Sequence, residues 1–168
     1  MSRAFVKEPD ADSPEELPEL PVSPHPNYVT ATGLAQLRER LERAEQRLAA
    51  VSAGAVEEKH ERAQAERDIR WLRTRIATAR PVMPDDATPG RVAFGATVEL
   101  ADQDGSSHSY RIVGEDEAAP AQGLVSWVSP LASALLGARV GDVVTWRRPS
   151  GDVEVEVRAI RYDAGSNG

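Results

Sequence analysis

The run Leu34-Ala35-Gln36-Leu37-Arg38-Glu39-Arg40-Leu41-Glu42-Arg43-Ala44-Glu45-Gln46-Arg47-Leu48, continuing to Val51, decides how the chain folds. Leu34, Leu37, Leu41, Ala44, Leu48 and Val51 recur three and four residues apart, which places them on one stripe of a helix with charged residues around the rest. The same spacing returns at Ala65, Ile69, Leu72, Ile76 and Ala79, and no proline interrupts residues 30–80. Two such stripes joined at Ser52-Ala53-Gly54 predict an antiparallel helical hairpin whose seam satisfies itself. Near the turn, Glu58 and Arg62 stand where the heptad asks for apolar residues, so that end is expected to fray more readily. At 1.5 Å per residue each arm spans roughly 30 to 37 Å, more than a small core requires, and the hairpin is expected to protrude.

Length and charge narrow the function. A chain of 168 residues with 40% hydrophobic content holds one domain with an appendage or two small ones. No apolar run approaches the roughly 20 residues of a membrane span, and the acidic start lacks a signal-peptide core, so a cytoplasmic protein with no membrane partner is expected. Without cysteine there is no disulfide, thiolate zinc site or cysteine nucleophile. The net charge of −7 is a poor basis for binding duplex DNA alone. Only residues 30–80 are net basic, with eleven basic and eight acidic side chains. That excess fits either a solvated helix face or electrostatic guidance into an acidic or nucleic-acid-lined cavity.

Residues 1–27 carry six prolines among acidic residues and predict a disordered or extended arm, in which Phe5 and Val6 are candidates to dock on a partner against the alternative of an unstructured terminus. Tyr28-Val29-Thr30 leads into the hairpin, over residues 28–80, with Thr30 or Thr32 as the helix cap. Trp71, one step off the seam, is expected to pack on the following domain and fix the hairpin angle. Pro81, Pro84 and Pro89 make residues 81–90 a linker. Residues 91–162 then read as a small antiparallel sheet with one helix. Its strands are expected over residues 91–100, 107–113, 123–128, 142–147 and 152–160, the last with Val153, Val155, Val157 and Ala159 on one face. The helix opens at Pro130 and closes at Gly137. Residues 163–168 form a tail expected to fray. The acidic Glu115-Asp116-Glu117 is read as loop charge, either solvated or facing a basic partner surface.

Taken together, the hairpin, the segment from Gly90 through Val98, the Tyr110-Arg111-Ile112-Val113-Gly114-Glu115-Asp116-Glu117-Ala118 segment and the Ser129-Pro130-Leu131 helix start resemble the Gre family of bacterial transcript cleavage factors over about residues 28–162. The resemblance implies an α+β protein, a coiled-coil hairpin followed by an FK506-binding-protein-like sheet domain. It implies RNA polymerase as partner. The sheet domain would dock at the rim of the secondary channel through Val128, Ser129 and Pro130, and the hairpin would enter the channel, meeting nucleic acid only within the transcription complex. It implies no catalytic residue and no cofactor in the chain itself, and at most a magnesium ion shared with the polymerase active centre.

The tip departs from that family. Cleavage-stimulating members carry a Gly-Asp-x-x-x-Glu-Asn-Ala pattern, whereas here no aspartate occurs between Asp12 and Asp68 and no asparagine between Asn27 and Asn167. The hairpin is also about one heptad per arm shorter than the family's, a retraction of roughly 10 Å, which side-chain reach alone does not bridge. Glu57 and Glu58, with Glu61 a turn on, are the substitute metal ligands to weigh against ordinary helix-start glutamates favoured by the dipole. His60 reads as a surface residue. The expectation is therefore a monomeric, non-enzymatic elongation regulator with weak or no cleavage stimulation. The alternatives are a genuine cleavage factor using Glu57 and Glu58, a peptidyl-prolyl isomerase suggested by fold analogy alone, and a regulator of a metabolic nucleotide kinase.

Overall fold

The computed structural model describes residues 16–51 and 56–163. The predicted turn Ser52-Ala53-Gly54 lies outside the described residues, as do the first fifteen residues and the tail from residue 164. Helices α1 (Ala31–Ala50) and α2 (Val56–Thr78) form the hairpin. Of the two candidate caps it is Thr30 that opens α1, its hydroxyl accepting the Gly33 N–H at 2.9 Å. The seam is the one the heptads describe: Leu37, Ala44, Ala65, Ile69 and Leu72 are buried, with Leu34, Leu41, Leu48 and Ile76 packed around them. At Arg62 the seam position itself carries no apolar side chain. Instead, its guanidinium reaches across to the Val51 carbonyl oxygen at 3.2 Å, satisfying a carbonyl left open at the end of α1. No helix of the described residues is long and apolar enough to cross a membrane.

A feature absent from the sequence reading closes the base of the hairpin. Strand β1 (Tyr28–Val29) pairs in parallel with β2 (Arg80–Pro81), through Arg80 N–H to the Asn27 carbonyl at 2.8 Å and Val82 N–H to the Val29 carbonyl at 3.0 Å. The strand therefore straddles the boundary expected between hairpin and linker. Pro81 is tolerated because the donors used come from the residues on either side of it.

The second part is a five-stranded sheet of β3 (Thr97–Ala101), β4 (Ser107–Val113), β5 (Leu124–Ser126), β6 (Val143–Trp146) and β7 (Val153–Arg161), in the order β5-β4-β3-β7-β6. Helix α3 (Pro130–Leu135) closes on its core, where Val98, Leu100, Ile112, Leu131, Leu135 and Val157 are buried. Three details correct the expectation. The sheet is not wholly antiparallel: β5 runs parallel to β4, because the chain crosses back through residues 114–123 instead of turning tightly. The first predicted strand begins only at Thr97. Before it, Gly95 takes φ +85° and Ala96 N–H bonds back to the Ala93 carbonyl at 3.1 Å, a turn that bends the chain ahead of the regular strand. Finally, β7 does not alternate to its end. Glu99 faces Ala159 while Leu100 faces Val157, so Arg158 is an extra residue, and Ile160 rather than Ala159 joins the core.

Candidate functional site

The loop that follows β4 ties the two parts together. Asp116 and Glu117, read as loop charge, turn towards the hairpin, a correction to both readings for these two, while Glu115 accepts from the Ser23 hydroxyl of the amino-terminal arm. Asp116 accepts from Nε of Arg75 at 2.7 Å, and Arg75, only 2% exposed, also donates to Asn27 Oδ1 at 2.9 Å. The Asn27 amide in turn donates to the Arg75 carbonyl at 2.7 Å and to Thr78 Oγ1 at 3.3 Å. Beside this knot Glu117, buried, accepts from the Thr30 hydroxyl at 2.6 Å, the same hydroxyl that caps α1. Asp116 is paired with the Arg75 guanidinium and Glu117 holds the hydrogen bond from Thr30, the kind of partner a buried polar group requires.

Backbone packs as closely as side chains here. An added Cβ on Gly33 would sit 2.8 Å from Glu117 Oε2, and one on Gly114 would run into the Tyr28 carbonyl oxygen. The Tyr28 ring completes the junction against Trp127 at 5.1 Å and Phe94 at 6.1 Å, while Tyr110 meets Trp146 at 5.9 Å. Phe94 and Trp127 thus gather with Tyr28 at the base of the hairpin, apart from the Tyr110–Trp146 pair.

Next to Trp127 lies the loop expected to dock. Trp127 N–H bonds to the Val113 carbonyl at 2.9 Å, holding the loop on the sheet edge. The Val128 N–H donates to Ser126 Oγ at 3.3 Å, and Ser129 caps α3 by accepting the Ala132 N–H at 3.2 Å. Pro130 is exposed at the first helical position. Val128, Ser129 and Pro130 are therefore contiguous on a rigid corner, with the proline ring outermost.

At the far end of the hairpin, Glu57 and Glu58 stand in the first turn of α2, where the helix dipole favours acids. As consecutive helical residues they diverge by about 100°, so both carboxylates do not face one point. Among the described residues no group of three or more His, Asp or Glu is placed to hold a metal ion. These two glutamates do not fit a magnesium ion bound by the chain alone. His60 lies 2.8 Å from the Gln64 side chain.

Trp71 differs from expectation. It turns to the amino-terminal arm rather than to the sheet domain, its indole N–H donating to the Pro21 carbonyl at 3.1 Å, with the Arg40 and Arg75 guanidinium groups 5.3 and 5.9 Å from its ring. Residues 16–27, inside the stretch expected to be disordered or extended, run without helix or strand and are tied at several points. Glu19 accepts from Arg70 at 2.6 Å, and that hydrogen bond holds its carboxyl below the usual glutamate range against the opposing effect of desolvation. Arg75, Asn27 and Glu117 are the residues missed by sequence reasoning. The available signal was an arginine directly beside the seam residues Leu72 and Ile76, together with three consecutive acids immediately after a strand.

Residues 87–162 match the family model described as "Transcription elongation factor, GreA/GreB, C-term". The chain is 37% identical over 152 residues to a transcription elongation factor GreA of Alkalilimnicola ehrlichii, an overlap spanning 80% of this chain and 96% of that one. It is 34% identical over 153 residues to a transcription elongation factor GreB of Haemophilus influenzae, spanning 82% and 97% respectively. Among solved structures it resembles the GreA factor homolog Gfh1 of Thermus thermophilus, at 28% identity and a TM-score of 0.40 over 82% of this chain and 99% of that one. The family likeness rests on the sequences.

Proposed function

Because the chain belongs to the GreA/GreB family of transcription elongation factors, we propose that it binds RNA polymerase as a monomer in the cytoplasm and modulates elongation without strongly stimulating transcript cleavage. The corner Val128-Ser129-Pro130 docks at the rim of the secondary channel and the hairpin enters it. The hinge built on Arg75, Asp116 and Glu117 supports this reading, since a rod that must reach a fixed depth needs a fixed angle at its base. The chain contributes no catalytic group; any magnesium ion met at the tip is shared with the polymerase.

The observation that carries the absence of strong cleavage is the tip sequence. Two-metal hydrolysis clamps attacking and leaving oxygens with hard carboxylate ligands. Between Asp12 and Asp68 this chain offers glutamates but no aspartate, and its adjacent Glu57 and Glu58 stand about 100° apart around the helix. On backtracked elongation complexes the factor is expected to leave transcripts at the length the polymerase alone produces. Robust shortening that disappears in a Glu57→Ala, Glu58→Ala double variant would instead establish a cleavage factor. Binding is tested separately by capturing polymerase on immobilised protein. Pro130→Glu, exposed and compatible with a first helical turn, is expected to abolish capture while the melting temperature stays unchanged. Capture unaffected by that change would remove the docking corner from the reading.

A further inference from the structure

Residues 16–21 repeat one triplet, Glu16-Leu17-Pro18 and Glu19-Leu20-Pro21. Three residues make one turn of a polyproline II helix, so such a repeat sets both leucines on one side and both glutamates on another. The burial follows that pattern: Leu17 and Leu20 are half-buried, whereas Glu16, Pro18 and Glu19 are exposed. Leu20 forms one wall of a groove of about 580 Å³, with Arg40, Arg43, Arg47 and Trp71 on the others. The Trp71 indole N–H on the Pro21 carbonyl, at 3.1 Å, is the contact by which aromatic grooves take proline-spaced peptides. Glu19 fastens the same turn to Arg70.

The arm then crosses to the other part of the molecule. The Ser23 hydroxyl donates to Glu115 at 3.0 Å, and the His25 ring meets the Trp127 ring edge-on at 6.0 Å, directly beside Val128 and Ser129. Residues 16–25 thus run along the arginine face of the hairpin and the flank of the docking corner.

We propose that residues 16–25 are an autoinhibitory strap, a ligand held in cis that walls off one side of the hairpin's Arg40–Arg43–Arg47–Trp71 groove and flanks the docking corner until an anionic surface displaces it, Asn27 staying in the junction with Arg75. Charge complementarity names the occupant, since the arm is acidic and residues 30–80 are net basic. Displacement is feasible because the anchors at Glu19 and Trp71 are exposed to solvent, where ion pairs and hydrogen bonds are weak and screened by salt. The regulatory meaning rests on the polymerase-binding reading; the strap itself does not.

The test therefore omits polymerase. The full chain is labelled with 5-fluorotryptophan, and a heparin oligosaccharide serves as probe of the arginine face. Leu17→Ser with Leu20→Ser lifts the strap without altering net charge. If the strap is closed about nine-tenths of the time, baring the groove tightens heparin binding by about tenfold and shifts the Trp71 and Trp127 fluorine resonances. Glu154→Gln, on the sheet, changes net charge but is expected to move neither resonance. Heparin affinity equal to that of the unaltered chain, or unmoved resonances in the leucine variant, would overturn the proposal. Resonances that vary with protein concentration would also overturn it, by assigning the strap to a second copy.

Discussion

Arg75 carries the junction at the scale of a single residue. Its guanidinium is buried between Asp116 and Asn27, so shortening it strands a carboxylate and an amide oxygen at once. Arg75→Met is expected to cost about 3 kcal/mol, measured by urea unfolding, and Arg75→Met with Asp116→Leu to recover much of that loss. The reasoning that makes one half of a buried pair costly makes removal of both tolerable. Glu19 provides a pH-dependent counterpart on the surface. Facing Arg70 and Arg67 on α2, its carboxyl is held below the ordinary range, first by the hydrogen bond from Arg70. A folded-state pKa below the unfolded one means that the arm contact is fully present above the ordinary glutamate pKa and is lost as pH falls through the lowered value. Following the Arg70 Nε–H resonance in an acid titration should show it intact at neutral pH and moving only below the usual carboxylate range. Neither role was legible in the sequence. An arginine in a charged helix reads as solvated, and the acid that pairs with Arg75 lies 41 residues away, in a loop whose direction only the fold decides.

Among the elements, the two helices and α3 could be read in advance because each follows a local rule, heptad spacing in one case and a Ser-Pro start in the other. The sheet was harder. A period-two pattern runs straight through Val153, Val155, Val157 and Ala159, and nothing local announces that Arg158 is extra. The bulge makes a discriminating prediction. Ile160→Ala should cost about 2 kcal/mol as a core truncation, whereas Ala159→Ser should stay within about 0.5 kcal/mol. An uninterrupted strand would reverse that order. The parallel β4–β5 pair escaped for a related reason, since strand direction depends on a ten-residue connection and not on the strands themselves. At the tip of the hairpin, Arg62 looked like a flaw in the seam but closes the end of α1. Arg62→Ala should cost under about 1 kcal/mol globally while speeding amide exchange over residues 48–51 and the first turns of α2.

For the molecule as a whole, what matters is whether the rod has one angle. Two kinds of contact fix it: the polar knot of Arg75, Asp116, Glu117 and Thr30, and the close packing of Gly114 and the Tyr28 ring against the sheet domain. The Ser129-Pro130 corner and the far end of the hairpin lie on opposite sides of this junction, so any slack there is multiplied along a lever of roughly 30 Å. The chain has no cysteine, which allows spin labels at Glu42→Cys and Arg147→Cys, both exposed and on opposite parts. The unaltered junction should give one narrow distance distribution. Asp116→Asn with Glu117→Gln removes the charges but keeps the shapes, and should broaden that distribution while the helical circular dichroism stays constant, because the seam and the sheet core each retain their own apolar contacts. Gly114→Ala acts on the other component: its methyl group forces the Tyr28 carbonyl away, so it should displace the mean distance more than it broadens it. A distribution that stays narrow in the charge variant but moves in the alanine variant would assign the angle to backbone packing and leave the ion pairs the lesser task of compensating charges that the packing has buried.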